Sequence, residues 1–333
     1  MGDKVLLTGG LGFIGHHLAL ALKERGLSPI VYDNFSQNVR NTWHRHIVAK
    51  RHDLIRGADI PVIAGDTRMV EGLRSALLEA RPDRIVHLSA IPSVVLSNRN
   101  PGTAIDHNFS ATKNMLEIIR LEKLDIKQIV FFSSSTVYGD FETDSVDEDS
   151  PTNPKGIYEA AKLSSELIIR AYHNLIGVPY TIVRPSALYG PRCINNRVTQ
   201  AFIEKAIRGQ ALQIEGSGEE KLDFTFIGDL VAGACLVLTR DQALNTVFNL
   251  TYGEGRSIGL LIDILRGYFS DLAVEKVPRD RMKPVRGTLR IDRAKELLGY
   301  APEYPLEVGY PRYIEWYLES RFKELDAEPG VDG

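Results

Sequence analysis

Tyr158-Glu159-Ala160-Ala161-Lys162 sets a phenol and an ammonium four residues apart, on one face of a helix. A phenol titrates at about 10 and is a poor base at neutral pH. A nearby cation favours the phenolate and lowers that value, so the pair is expected to make a usable base. Such a base needs a hydroxyl beside it to hold a substrate oxygen. Ser133-Ser134-Ser135-Thr136, at the end of an apolar run, supplies several. A Tyr and a Lys at this spacing occur on many amphipathic helices, so the pair gains meaning only from its company.

That company starts at Thr8-Gly9-Gly10-Leu11-Gly12-Phe13-Ile14-Gly15, which follows a strand-like run and opens a helical one. Gly10, Gly12 and Gly15 have the G-x-G-x-x-G spacing, with Gly9 extra. Glycine lets the backbone turn tightly and approach a pyrophosphate, while the helix N-terminus supplies amide donors and positive potential. Asp33 ends the second strand-like run, 18 residues after Gly15. A carboxylate there accepts hydrogen bonds from a ribose 2′-hydroxyl and repels a 2′-phosphate, which selects NAD over NADP. Asp66, in Gly65-Asp66-Thr67, either caps a helix or meets the adenine.

These groups need a frame to position them. Strands are expected at Val5–Thr8, Ile30–Asp33, Val62–Ala64, Ile85–Ser89, Ile129–Ser133 and Tyr180–Arg184. Amphipathic stretches at His16–Arg25, Val70–Ala80, Thr103–Leu121 and Tyr158–Leu175 alternate with them. Strand–helix alternation implies an α/β fold, a Rossmann-type doubly wound parallel sheet with helices on both faces and ligands outside the strands' carboxyl ends. After Pro185 the rhythm loosens. Val198–Arg208 reads as a helix, and Asp229–Thr239 with Val247–Leu250 as one more helix and strand of the main sheet. The expectation is a dinucleotide domain over residues 1–185, with 229–252 returning to it, and a smaller substrate-binding lobe drawn mostly from 186–333.

The bulk numbers exclude several classes. The chain has 333 residues, 44% hydrophobic, with net charge −3, so no electrostatic footprint for nucleic acid or an anionic membrane is present. Two cysteines suit a reducing compartment. No apolar run reaches the roughly 18 residues of a membrane helix. The chain runs almost at once into its first strand, so no signal peptide is expected and the reading is a cytoplasmic protein. His44, His46 and His52 fall in a polar stretch without metal-ligand spacing, and read as solvated surface with no metal site. His87 reads as structural.

Seven motifs together carry a resemblance. They are TGGLGFIG at Thr8–Gly15, VYDN at Val31–Asn34, GDTR at Gly65–Arg68, HLSA at His87–Ala90, SSSTVYG at Ser133–Gly139, YEAAK at Tyr158–Lys162 and RPSALYGPR at Arg184–Arg192. In these the chain resembles, over nearly its whole length, the extended short-chain dehydrogenase/reductase family, in its nucleotide-sugar epimerase and dehydratase branch. The resemblance implies that NAD meets Gly9, Gly12, Phe13, Ile14 and Gly15, then Asn34 beside Asp33, then Asp66, Thr67, Leu88, Ala90 and Pro185. His107 falls where the family places a residue near NAD, and a packing role is the alternative. Tyr158 would be the general base for a sugar hydroxyl, usually at C4. Lys162 would hold the nicotinamide ribose and tune Tyr158, and Ser134 would hydrogen-bond the same hydroxyl. For the nucleotide diphosphate sugar, the resemblance implies Ser93, Ser134, Asn196, Arg192, Arg197 and Arg281. It also implies a homodimer through helices 103–121 and 158–175.

The 4,6-dehydratases of this branch carry Asp-Glu just before VYG, and the decarboxylases carry Glu there. This chain has Ser135 and Thr136, and hydroxyls cannot do carboxylate acid–base work at neutral pH. The expected reaction is therefore NAD-dependent epimerisation, probable position C4, through a transient 4-keto sugar of UDP-hexose or UDP-uronate type. The rivals are a 4-ketoreductase, the 4,6-dehydratase and a non-catalytic NAD-binding sensor. Two positions depart from the family: Ala187 stands for its usual Asn, and Leu222 for the Arg before the Asp-Phe pair. Lys221, Arg192, Arg197 or Arg286 would have to supply the missing charge.

Overall fold

The structure is a computed structural model that describes residues 2–37, 39–279 and 284–320, together with Phe322 and Glu324. Its frame is a seven-stranded sheet of β1 (Lys4–Thr8), β2 (Ser28–Asp33), β3 (Val62–Ala64), β4 (Arg84–His87), β5 (Gln128–Phe132), β6 (Tyr180–Arg184) and β7 (Thr246–Asn249). The spatial order is β7-β6-β5-β4-β1-β2-β3, every neighbouring pair parallel. The order reverses between β1 and β4, which opens a crevice at the strands' carboxyl ends.

Both faces of this sheet are apolar, and the pleat sorts them. Val5 and Leu7, with Val130 and Phe132, point to one core. Leu6, Ile129 and Phe131 point to the other. The first face is covered by α1 (Phe13–Glu24), α2 (Thr42–Gly57) and α9 (Ile227–Thr239), and its core runs on into α8 (Val198–Ile207), α10 (Ile258–Arg266) and α12 (Leu306–Glu319). The second face is covered by α3 (Val70–Ala80), α6 (Ala111–Leu121) and α7 (Ile157–Ile176). The remaining helices are α4 (Val94–Arg99), α5 (Pro101–Ile105) and α11 (Asp292–Leu298). β7 joins the sheet beside β6, and α9 packs against α1, so the late helix and strand return to the main sheet.

Two elements differ from the sequence reading. The polar stretch after β2, read as solvated surface, is a packed helix: α2 buries Trp43, Ile47 and Ile55, with Trp43 against Trp316, Tyr317 and Phe322. His44 is only 2% exposed within it, whereas His46 lies outside. The helix predicted over 103–121 is broken. It begins at Pro101, widens into a π turn at Asp106–Ser110 and resumes at Ala111. In that turn Asn108 accepts from the Ile91 amide and from the Ser165 hydroxyl, which ties the loop after β4 to α7.

One buried ion pair fixes α7 to the sheet. Arg184, at the end of β6, forks onto Glu166 of α7 at 3.0 and 2.6 Å, with side chains 3% and 1% exposed. Removing one partner leaves a buried unpaired charge. Glu166→Ala should therefore lower unfolding free energy by about 3–5 kcal/mol in urea denaturation. The double variant Glu166→Leu, Arg184→Met should recover much of that loss. A single-variant loss under about 1 kcal/mol, the scale of an exposed pair, would contradict this.

Candidate active site

The carboxyl ends of β1, β2, β4, β5 and β6 surround a cleft of about 840 Å³. At one end lies the glycine loop. Gly9 adopts φ +70°, its amide donates to Tyr32 O at 2.8 Å, and a Cβ there would sit 2.9 Å from the Ser89 nitrogen. A Cβ on Gly15 would lie 2.6 Å from Gly10 Cα. Gly10 itself faces away from the cleft, onto Val31 of β2, so its role is packing. Gly12 is the N-cap of α1 and brings no capping side chain, so the first-turn amides stay free. Such a cradle, too tight for any side chain and open at a helix N-terminus, fits a pyrophosphate.

Asp33 sits beside this loop, its two carboxylate oxygens accepting from the Leu11 amide at 2.9 Å and the Phe35 amide at 2.8 Å. Burial pushes its carboxyl up, and the two amides and Arg51 oppose the shift. Asn34, Thr67, Leu88, Ala90, Ser93, His107 and Pro185 line the cleft as expected, with Phe13 and Ile14 of α1. Asp66 does not cap α3. The N-cap of α3 is Met69, and Asp66 turns from the cleft to pair with Arg68 at 2.7 Å and accept from Asn34 at 2.9 Å. The Arg68 bonds hold its carboxyl well below the usual range.

At the other end, three consecutive residues, the last of β5 and the two that follow it, meet successive turns of α7. Lys162 Nζ donates to Phe132 O at 2.8 Å. Ser133 Oγ donates to Glu166 at 2.5 Å. Ser134 hydrogen-bonds the Tyr158 hydroxyl and also accepts from Thr136 Oγ1 at 2.9 Å. The expected Ser134, Tyr158 and Lys162 set is thus assembled on the cleft wall. The electrostatics differ from the expectation. Burial raises the Tyr158 phenol, and the cation that pulls it down is Arg197, not Lys162. Lys162, 4.8 Å above the Phe131 ring, is itself pushed down to about 7 by burial. Dehydration outweighs the charge effect in both groups.

The substrate side is mixed. Arg197, Asn195 and Asn196 line the cleft before α8. Arg192 does not: its guanidinium donates to His16 Nε2 at 2.9 Å and lies against His17, while its own carbonyl accepts from the buried Arg51. It braces α1 rather than reaching the cleft. Arg281 lies outside the described residues. Ala187 and Leu222 both line the cleft, and Ala187 holds φ +36°, a conformation that Asn adopts more readily. Sequence reasoning gave Arg286 only as one of several compensating cations. It lines the cleft and bonds Ser135 and Ser186. Its distance in sequence from every motif gave no signal.

The NAD dependent epimerase/dehydratase family model matches residues 5–251. A putative UDP-glucose 4-epimerase of Methanocaldococcus jannaschii is 32% identical, over 94% of this chain and 97% of its own. UDP-glucuronate 4-epimerase 4 of Arabidopsis thaliana is 30% identical, over 95% of this chain and 76% of its own. Among solved structures, the Bacillus cereus UDP-glucuronic acid 4-epimerase in complex with UDP-glucuronic acid and NAD has a TM-score of 0.85 at 26% identity, covering 95% of this chain and 99% of that one. The Thermotoga maritima UDP-glucose 4-epimerase with UDP-glucose has the same TM-score at 27% identity and the same coverage.

The buried Lys162 has a stability signature. Its folded value is lowered to about 7, whereas unfolded lysine titrates at about 10.4. Between these values the unfolded chain binds more protons, so this group's contribution to stability rises with pH. In thermal melts without nucleotide, Lys162→Met should be more stable than the parent at pH 6–7, and the gap should close towards pH 10. A gap that is absent, or independent of pH, would contradict the burial.

Proposed function

The chain belongs to the NAD-dependent epimerase/dehydratase family, and on that premise we propose that it is an NAD-dependent epimerase that inverts C4 of a nucleoside-diphosphate sugar. The observation that carries the reading is the Ser134–Tyr158 hydrogen bond beside buried Lys162, at the carboxyl end of β5. Ser135 and Thr136 stand where dehydration or decarboxylation would need carboxylates. Among the described residues that line the cleft, Asp33 is the one carboxylate, and it belongs to the glycine-loop end.

Gly9, Gly12 and Gly15 with the free amides of α1 would hold the pyrophosphate of NAD, and Asp33 its adenosine ribose. NAD, when bound, would supply the hydride acceptor for the oxidation at C4. The protein's part is proton transfer and orientation. Tyr158 Oη takes the C4 hydroxyl proton and later returns it. Ser134 Oγ keeps the oxygen within reach of Tyr158, and Arg197 favours the phenolate while the proton is away. Lys162 Nζ, held by the Phe132 carbonyl, is the group nearest neutral titration and sets the charge under the ribose. Asn196 and Arg197, at the start of α8, are the cleft's donors for the diphosphate. In this reading residues 1–185 and 229–252 serve NAD and most of 186–333 serves the sugar nucleotide.

We assign the enzyme to the cytoplasm, where the buried thiols Cys193 and Cys235 stay reduced. The exposed Leu121, Leu167 and Leu175 of α6 and α7 support a homodimer through that helix pair.

Purified protein, incubated with UDP-glucose or UDP-glucuronate and no added cofactor, should yield the C4 epimer without net change in absorbance at 340 nm. NADH consumed in proportion to product would establish a reductase instead. Tyr158→Phe should lower kcat by roughly 10²–10⁴-fold, the usual share of a general base, and keep its bound NAD. A variant with full activity would remove Tyr158 from the mechanism.

A further inference from the structure

Arg286 is a buried charge that no described carboxylate meets directly: its hydrogen bonds go to hydroxyls, and Asp223 and Glu159 act on it only from beyond ion-pair distance. Its backbone is pinned to the segment after the Ser135–Tyr138 turn: Val285 N donates to Asp140 at 2.7 Å, Phe141 N to Val285 O at 2.9 Å, and Thr288 N to Asp144 O at 3.0 Å. This anchorage drives the side chain into the cleft, with its guanidinium carbon 5.4 Å from the Phe141 ring centre. There its hydrogen bonds go to two neutral hydroxyls, Ser135 and Ser186. Nε, shut off from water, has no partner. The contrast with Arg184 and Arg68 is sharp, since each of those forks onto a carboxylate. Burial pushes the Arg286 guanidinium down to about 10, which still leaves it charged at neutral pH.

A buried cation is costly unless an anion meets it. Among the described residues that line the cleft, Asp33 is the one carboxylate and it lies at the opposite end, while Asp223 and Glu159, outside that lining, act on Arg286 without pairing with it. A ligand anion in the cleft would give Arg286 the direct partner that these carboxylates do not. Arg286 bonds Ser135, the residue next to Ser134, which hydrogen-bonds Tyr158. A sugar whose C4 hydroxyl rests on Ser134 and Tyr158 has its C3 hydroxyl on one side of that contact and C6, carried by C5, on the other, and of the two only a C6 carboxylate would bring a charge to Arg286. Arg197, at the N-terminus of α8, remains for the diphosphate.

Resting on the 4-epimerase reading, we propose that Arg286, with Ser135 and Ser186, forms a subsite for a C6 carboxylate, so that the substrate class is a nucleoside-diphosphate hexuronate and Arg286 selects it over the neutral hexose. The planar fork of arginine matches a carboxylate in a way that a hydroxymethyl group cannot exploit.

The test uses NAD-loaded protein carrying Tyr158→Phe, so that binding is read without turnover. UDP-glucuronate, UDP-glucose and UDP are titrated by calorimetry. UDP-glucuronate should bind at least tenfold tighter than UDP-glucose. Adding Arg286→Gln should weaken UDP-glucuronate by roughly 10- to 100-fold, the scale of charge-assisted hydrogen bonds, and leave the other two within about threefold. Arg286→Lys should retain part of the preference, and its melting temperature reports on folding. Equal weakening of all three ligands would make Arg286 a diphosphate contact and overturn the proposal. So would an unchanged affinity, or no preference for UDP-glucuronate. If the parent enzyme epimerises UDP-glucose but not UDP-glucuronate, the carboxylate subsite fails and the epimerase reading stands. If no nucleotide sugar binds at all, the epimerase reading itself fails.

Discussion

The arrangement of this site depends on one buried ion pair. Glu166 lies one turn beyond Lys162 and two beyond Tyr158 on the same face of α7. Its carboxylate is shared between Arg184, at the end of β6, and Ser133, at the end of β5. That bond sets how α7 lies across the sheet face, and with it the reach of Tyr158 to Ser134 and of Lys162 to the Phe132 carbonyl. The network continues outward. Arg184 also donates to the Tyr138 hydroxyl at 2.9 Å, Tyr138 donates to Asn249 at 2.8 Å, and Asn249 donates to Arg290 O at 3.1 Å. A single chain of buried hydrogen bonds therefore joins the catalytic helix to the segment that carries Arg286. Each member is satisfied by the next, which is the condition under which buried polar groups rigidify a site rather than weaken it.

Electrostatics inside the cleft follow from dehydration. Lys162 is lowered and Tyr158 is raised, so each group drifts towards its neutral form. Lys162, lowered to about 7, exchanges its proton at low cost near neutral pH, whereas Tyr158 holds its proton more tightly than a free phenol and depends on Arg197 to favour the phenolate. Two carboxylates oppose or add to these shifts: Glu166, though paired with Arg184, raises Lys162 against its burial, and Glu159 adds to the rise of Tyr158. The cations that remain face the volume where an anionic ligand would sit.

Much of this was legible in the sequence, for physical reasons that also mark where legibility stopped. Strands buried on both faces read as short apolar runs, and the glycine loop is read from what a Cβ would strike. The Tyr158–Lys162 spacing is a helical one and survives any detail of packing. The α2 helix escaped because its buried face includes His44 and Arg51, polar side chains that hide an apolar pattern of Trp43, Ile47 and Ile55. The π turn at Asp106–Ser110 leaves no mark in periodicity. Arg192 and Asp66 were assigned to ligands by position, and the structure satisfies each with a neighbour far off in sequence or two residues on. The direction of the Tyr158 shift was missed because spacing reveals an ammonium but not the burial that offsets it. Arg286 was one of four candidate cations in the sequence, and only the contact with 140–144, which brings it to Ser135, singles it out.

The central claim is that the sugar's own C4 hydrogen leaves as hydride and returns to the opposite face while Tyr158 handles the proton. The direct measurement is epimerisation of an unlabelled nucleotide sugar in deuterium oxide without added cofactor, with the product read by mass spectrometry and proton NMR. Hydride return predicts a C4 epimer that carries no carbon-bound deuterium. Deuterium at C4 or C5 of the product would mean that a carbon-bound proton exchanges with solvent, and would contradict it.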